Sequence, residues 1–195
     1  MDGLAVPRAG LSTGGVVEAA LALVDEQGAG ALTLAAVAAR TGVATPSLYK
    51  HVRGLDALEQ LVSAAVTEQF AGVLERAAAG RAGADALRAV AAAYRAYAHD
   101  LPGRYPFAQR VPDQADPAHA AAGQRAVGAI FAVLHGYGIE GDAAVDATRM
   151  LRSTLHGFVS LELAGGFGLP QSVDRSFDRL VDGADAALQA WPRQS

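Results

Sequence analysis

Apolar residues recur at spacings of three and four along most of the chain, as at Val16, Val17, Ala20, Leu21 and Val24, or at Leu58, Leu61, Val62, Ala65 and Val66. That period lines up one face of each segment for burial and predicts amphipathic helices. No stretch alternates with the period of two expected of a half-buried strand, so the fold class read from the pattern is all-α. Ser12 suits the N-cap of a first helix from about Thr13 to Gln27, and Leu11 and Val16 are spaced as a hydrophobic staple across it. Gly28 and Gly30 end that helix. A short second helix is expected from Thr33 to about Thr41, and a third from Thr45, as N-cap, to about Val52 with Pro46 at its first position. After Gly54, Asp56 marks the start of a long fourth helix reaching about Arg76. Further helices are expected from about Asp85 to His99, Ala118 to His135, Asp142 to Ala164 and Val173 to Ala190. Pro102, Pro106, Pro112 and Pro117 break the stretch between the first two of these.

Composition narrows the class. At 195 residues with 51% hydrophobic and 18% charged residues, the chain can build a sizeable core and is neither a disordered tail nor a coiled coil. The absence of cysteine removes thiolate zinc sites, iron–sulfur clusters, disulfides and thiol catalysis. His99, His119 and His135 are scattered, with no pair four apart beside a carboxylate, so no metal or other cofactor is expected. The first ten residues lack an apolar leader core, and no apolar run reaches membrane-spanning length, which reads as a cytoplasmic protein.

Charge is unevenly placed. The net value of −4 argues against a general coat for nucleic acid. From Gln27 to Leu55, however, there is no Asp or Glu, and Arg40, Lys50 and Arg53 give +3; the remainder is therefore −7. Lys50 is the only lysine. Two copies of such a chain would offer +6 on one face of an otherwise acidic body, which favours docking a polyanion by that face.

The same window has helix-turn-helix spacing: TLAAVAARTGVATPSLYKHV. Gly42 falls where the first helix must end on a residue tolerating positive φ, small Ala38 lets the second helix cross closely, and Val37, Val43 and Leu48 can fill the wedge. The longer run LTLAAVAARTGVATPSLYKHVRGLDAL resembles the N-terminal domain of the TetR family of bacterial transcriptional regulators, notably in Gly42, Val43, Leu48, Tyr49, His51 and Val52. The resemblance covers roughly residues 11–65. It implies that Thr45 to His51 forms a recognition helix in the major groove, with Thr33, Tyr49 and His51 near phosphates and Thr45, Pro46, Ser47 and Lys50 facing base edges or sugar methyls. In the family a lysine commonly opens the next helix; here Leu55 stands there, and Arg53 is the candidate to replace its phosphate contact. Ala35 puts no long side chain on the first turn of the second helix, which shifts weight toward readout of DNA shape.

Residues 66–195 read as a second, helical unit. Within it, LRSTLHGFVSLELAGGFGLPQSVDRSFDRL resembles a C-terminal domain of one TetR-like subgroup marked by a Trp-His-Gly motif, with Leu155, His156 and Gly157 in the motif positions and the tryptophan missing. That resemblance implies a homodimer in which the last two long helices and their copies form a four-helix interface, and a small-molecule effector cavity above the fourth helix. Gly157, Ala164 and Gly165 would permit close helix approach. Candidate cavity residues are Tyr94, Tyr97, Tyr105, Phe107, Phe131, Met150 and Phe158, and the expected effector is mostly apolar. His156 fits either a ligand contact or a hydrogen-bonded structural residue, the second being favoured. Glu162 is expected either to pair with Arg152 or Arg149 across the interface or to lie at a solvated edge.

The function expected is that of a homodimeric DNA-binding regulator, a repressor released from a palindromic operator by a small molecule, and not an enzyme. Two recognition helices held about 34 to 36 Å apart match one turn of B-DNA. The alternatives are a small metal-free helical enzyme or carrier of an apolar molecule, and a helical protein-interaction module. For the enzyme there is no Gly-rich phosphate loop after a strand and no nucleophile elbow; Ser160 sits in VSLEL.

Overall fold

The computed structural model describes residues 11–192; the leaderless reading of the first ten residues therefore lies outside the described part. Among the described residues the chain forms nine α-helices and no strand: α1 Thr13–Gln27, α2 Leu34–Thr41, α3 Thr45–Leu48, α4 Leu55–Ala78, α5 Gly83–Asp100, α6 Tyr105–Ala108, α7 Pro117–His135, α8 Gly141–Leu163 and α9 Val173–Gln189. A single 3-10 turn, Ala29–Ala31, follows α1. Helix starts are set by short polar side chains. Ser12 Oγ accepts from Gly15 N at 3.1 Å and Thr33 Oγ1 from Ala36 N at 3.1 Å.

Two differences from the expected pattern concern the helix-turn-helix and the proline-rich stretch. Ala44, not Thr45, is the N-cap of α3, and Pro46 falls at its second position. The α-helix stops at Leu48, and a looser turn continues through hydrogen bonds of His51 N and Val52 N to the Leu48 carbonyl, at 2.8 and 2.9 Å. In the proline-rich stretch the chain turns once more into helix as α6, where Pro106 sits in the first turn and needs no amide hydrogen.

The core begins between α1, α2, α3 and the first turns of α4, where Val16, Ala20, Val24, Val37, Leu48, Leu58 and Val62 are fully buried. It runs without a break along α4. Val66, Phe70 and Leu74 on the same helix continue it against α5 and α7. The expected division at residues 65 and 66 thus falls inside one continuous helix. α9 closes the far side with Phe177, Val181 and Leu188.

The two halves also touch through the segment leading into α6. Gly103 is buried against the end of α1, so close that a Cβ there would lie 1.8 Å from the Val24 carbonyl oxygen. Beside it, Arg104 donates to Asp25 on α1 through Nε at 2.8 Å and Nη2 at 2.6 Å, and to Gln69 on α4 through Nη1 at 3.1 Å. At the other end of α6, Ser63 donates to the Phe107 carbonyl at 3.0 Å, and Arg110 pairs with Glu59 at 2.6 Å. Short α6 is therefore tied at both ends to helices that also build the helix-turn-helix unit.

Glu162 corrects an expectation. It is largely buried and paired within its own chain: Arg95 Nε donates to it at 2.8 Å and His99 Nε2 lies 2.9 Å away, both from α5. Arg149 pairs instead with Asp146 on its own helix at 3.2 Å. Glu162 was reachable because α5 crosses α8 at this level, which no local pattern announces.

Candidate nucleic-acid interface

α2 ends as its sequence requires. Gly42 takes φ 70°, ψ 24°, and Val43 N closes back on the Ala38 carbonyl at 3.1 Å. That left-handed turn aims α3 across α2, while Val37 and Leu48 fill the angle between them with no exposed surface. Burying Leu48 and Val52 leaves the alternate positions of the same short stretch outside. Pro46, Tyr49, Lys50 and Arg53 are exposed, with Tyr49 at 58%, and Thr45, Ser47 and His51 are half-buried. Thr33, though a cap, is also exposed at the start of α2. The fold thus brings the eight sequence-predicted residues onto two adjoining short segments, at the start of α2 and along α3 with the turn after it.

Electrostatics at this face are simpler than the charge count suggested. Arg40 is held by Glu26, immediately outside the acid-free window, through two hydrogen bonds of 2.7 and 2.6 Å. Its hydrogen bond to Arg40 lowers the Glu26 carboxyl below its ordinary range, so the acid is ionised and cancels the guanidinium. The +3 of the window is then +2 in effect. Lys50 and Arg53 carry it, neither paired with an acid among the described residues. Leu55 begins α4 half-buried and packs against the core, so its side chain offers no cation at that position.

The C-terminal half holds a cavity of about 140 Å³ between α4, α5, α7, α8 and the chain just after α6. Phe70, Leu74, Ile130, Leu151 and Leu155 form most of its apolar wall; Thr67, Tyr94, Gln109, Thr148 and Arg152 supply polar groups. Of the eight residues proposed for an effector, Tyr94 alone is on this wall. Tyr97 is buried beside Phe70 and donates to Gln69 at 3.1 Å; burial pushes its hydroxyl up to about 12. Tyr105 lies one step behind Tyr94, their hydroxyls 2.9 Å apart, and contacts His156 Nδ1 at 2.8 Å. Phe107 and Met150 pack in or against the core, Phe131 is exposed on α7, and Phe158 stacks with Phe167 and Phe177. His156 is half-buried with Ser160 as second neighbour; burial and the nearby Arg152 charge lower its pKa, keeping the ring neutral near pH 7. The polar wall residues Gln109, Thr148 and Arg152 escaped a search by aromatic content. The spacing of Thr148, Leu151, Arg152 and Leu155 at i, i+3, i+4 and i+7 on one face of α8 was the available signal. Among the described residues there is no group of three or more His, Asp or Glu placed to hold a metal.

Comparison with known proteins decides the family. The model of the bacterial regulatory proteins of the tetR family matches residues 16–58, and that of the tetracyclin repressor-like C-terminal domain matches residues 87–184. An uncharacterized HTH-type transcriptional regulator of Mycobacterium tuberculosis, Rv0681, is 42% identical over 80% of this chain and 72% of its own length. The chain belongs to the TetR family of bacterial transcriptional regulators. Another relative within reach of this TetR-family protein, the uncharacterized HTH-type regulator YobS of Bacillus subtilis, is 34% identical over 80% of this chain and 81% of its own length. Among solved structures, apo ActR of Streptomyces coelicolor superimposes with a TM-score of 0.69 at 21% identity, covering 93% of this chain and 96% of that one. A TetR variant of Acinetobacter baumannii AYE in complex with minocycline gives 0.70 at 23% identity, covering 94% and 99%. Both share the all-helical TetR fold with an N-terminal helix-turn-helix. The face formed by α2 and α3 lies within the stretch that the tetR-family model matches, residues 16–58.

Proposed function

We propose that this TetR-family regulator is a homodimeric repressor that holds a palindromic operator through two copies of α3 and releases it when a small molecule enters the C-terminal cavity. The observation that carries the reading is the exposure of Pro46, Tyr49, Lys50 and Arg53 on one face whose cations no described acid neutralises. Thr33, Tyr49 and His51 would take phosphates, and Thr45, Pro46, Ser47 and Lys50 would meet base edges or sugars, with residues 11–65 as the DNA-binding unit and residues 66–195 as the effector and dimerisation unit. Dimerisation would use α8 and α9. Gly157 and Gly183 present open space where a Cβ would stand, as a close four-helix contact needs. A ligand-bound neighbour, the minocycline complex, supports a small-molecule effector as a class.

Coupling would run through α4 and α6. Thr67, Phe70 and Leu74 face the cavity from the helix whose first turns pack under α3. Gln109 and Arg110 follow α6, whose other end is clamped to α1 by Arg104. With no helix of the described residues long and apolar enough to cross a membrane, and a chromosomal target, the protein would act in the cytoplasm. Selection of bound duplexes from a random pool is the test. A two-fold symmetric consensus with half-sites about 10 base pairs apart is expected; failure to enrich any duplex at low salt overturns the reading.

A further inference from the structure

The cavity wall is electrostatically one-sided. It contains Arg110 and Arg152 and no aspartate or glutamate. Arg110 is already matched by Glu59. Arg152 has no carboxylate in ion-pair range among the described residues, and its Nη2 donates to the Gln109 carbonyl at 3.1 Å. Around it lie donors without acceptors. Gln109 Nε2 and Thr148 Oγ1 are both buried with no hydrogen-bond partner among the described residues, and both belong to residues of this wall. Thr148 and Arg152 stand one turn apart on α8, the Arg152 hydrogen bond to the Gln109 main-chain carbonyl holds that residue beside them, and all three line the same cavity. A buried donor without an acceptor is a standing cost, which a bound group removes if it accepts and does not donate.

We infer that the cavity takes a small organic carboxylate with a compact apolar body, either one six-membered ring or a short acyl chain, whose carboxylate is received by Arg152, Gln109 Nε2 and Thr148 Oγ1. An ionised carboxylate only accepts, on two oxygens, and matches a guanidinium with two flanking donors. The volume of about 140 Å³ sets the body size, since a cavity of about 150 Å³ holds one benzene ring. The apolar wall formed by Phe70, Leu74, Ile130, Leu151 and Leu155 receives that body. This inference rests on the effector reading above and adds the ligand's chemistry to it.

The test is calorimetric titration of the full chain with benzoate and hexanoate, and with benzamide and hexanamide as uncharged matches. Each carboxylate is expected to bind about tenfold or more tightly than its amide. Arg152→Gln, at an exposed position, is expected to bring each pair to near equality, and Thr148→Val to weaken the carboxylate alone. Equal binding of acid and amide by the natural chain, a preference that survives Arg152→Gln, or no binding of either carboxylate at millimolar concentration overturns the inference. Operator retention by the same preparations separates the two readings. Carboxylate failure with the operator still held sinks only the ligand class, whereas loss of the operator under all conditions sinks the repressor.

Discussion

At the scale of single residues, the proposed DNA-facing element depends on few side chains. Because Glu26 neutralises Arg40, Lys50 and Arg53 are the cations left on that face. Lys50→Glu reverses one of them at an exposed position, and we expect operator affinity to fall about a hundredfold or more in a filter or anisotropy assay, with an unchanged helical circular dichroism spectrum. Glu26→Gln acts in the opposite sense: freeing the Arg40 guanidinium should tighten binding to any duplex and steepen the salt dependence. Gly42 is a different kind of requirement. Its φ of 70° means that Gly42→Ala should cost about 1 kcal/mol in thermal or urea unfolding, although an added Cβ meets no neighbour. At Gly103 the backbone would tolerate a side chain and the space would not, so Gly103→Ala should destabilise by more than Gly42→Ala, since Val24 backbone must move.

At the scale of elements, the long helices were legible because each repeats an apolar face, and α1 and α2 also because they begin on the caps Ser12 and Thr33. The start of α3 was misread because Thr45 followed by Pro46 satisfies the same local rule whether the cap lies at Thr45 or one residue earlier. Only the path out of the Gly42 turn, which makes Ala44 extended, decides between them. Glu162 shows the complementary limit: its partners Arg95 and His99 are more than sixty residues away along the chain and meet it only through helix crossing. A cavity lies in the C-terminal half, and its polar end was not anticipated, because Gln109 reaches it from the chain after α6 while Thr148 and Arg152 reach it from α8. The α5–α8 contact carries a pH prediction. Hydrogen bonds from Arg95, aided by His99 and opposed by burial, hold the Glu162 carboxyl at about 2, against 4.5 ordinarily. A depressed carboxylate stabilises the fold fully above its unfolded value and loses that contribution as pH drops through its folded one. Melting temperature should therefore fall between pH 4.5 and about 2, and Glu162→Gln should flatten that part of the curve.

For the whole molecule, one continuous α4 and a doubly tethered α6 make the two halves mechanically dependent. On the proposed reading, occupancy of the cavity and grip on the operator would share a coupling free energy. Typical values of about 1 to 3 kcal/mol change operator affinity by roughly 5- to 150-fold, and linkage demands the same factor on effector affinity. Titrating effector in the presence and absence of operator should return equal factors; identical effector affinities in both would show that the halves are uncoupled. Sedimentation equilibrium should give twice the chain mass, and Gly183→Arg on the open face of α9 should return the single-chain mass. The solitary lysine offers a further consequence. An amine-selective dye has Lys50 as its one lysine target in this sequence, at an exposed position, so the proposed duplex-facing surface can be tagged without any substitution. Protection of that amine from the reagent by cognate duplex would map the footprint directly.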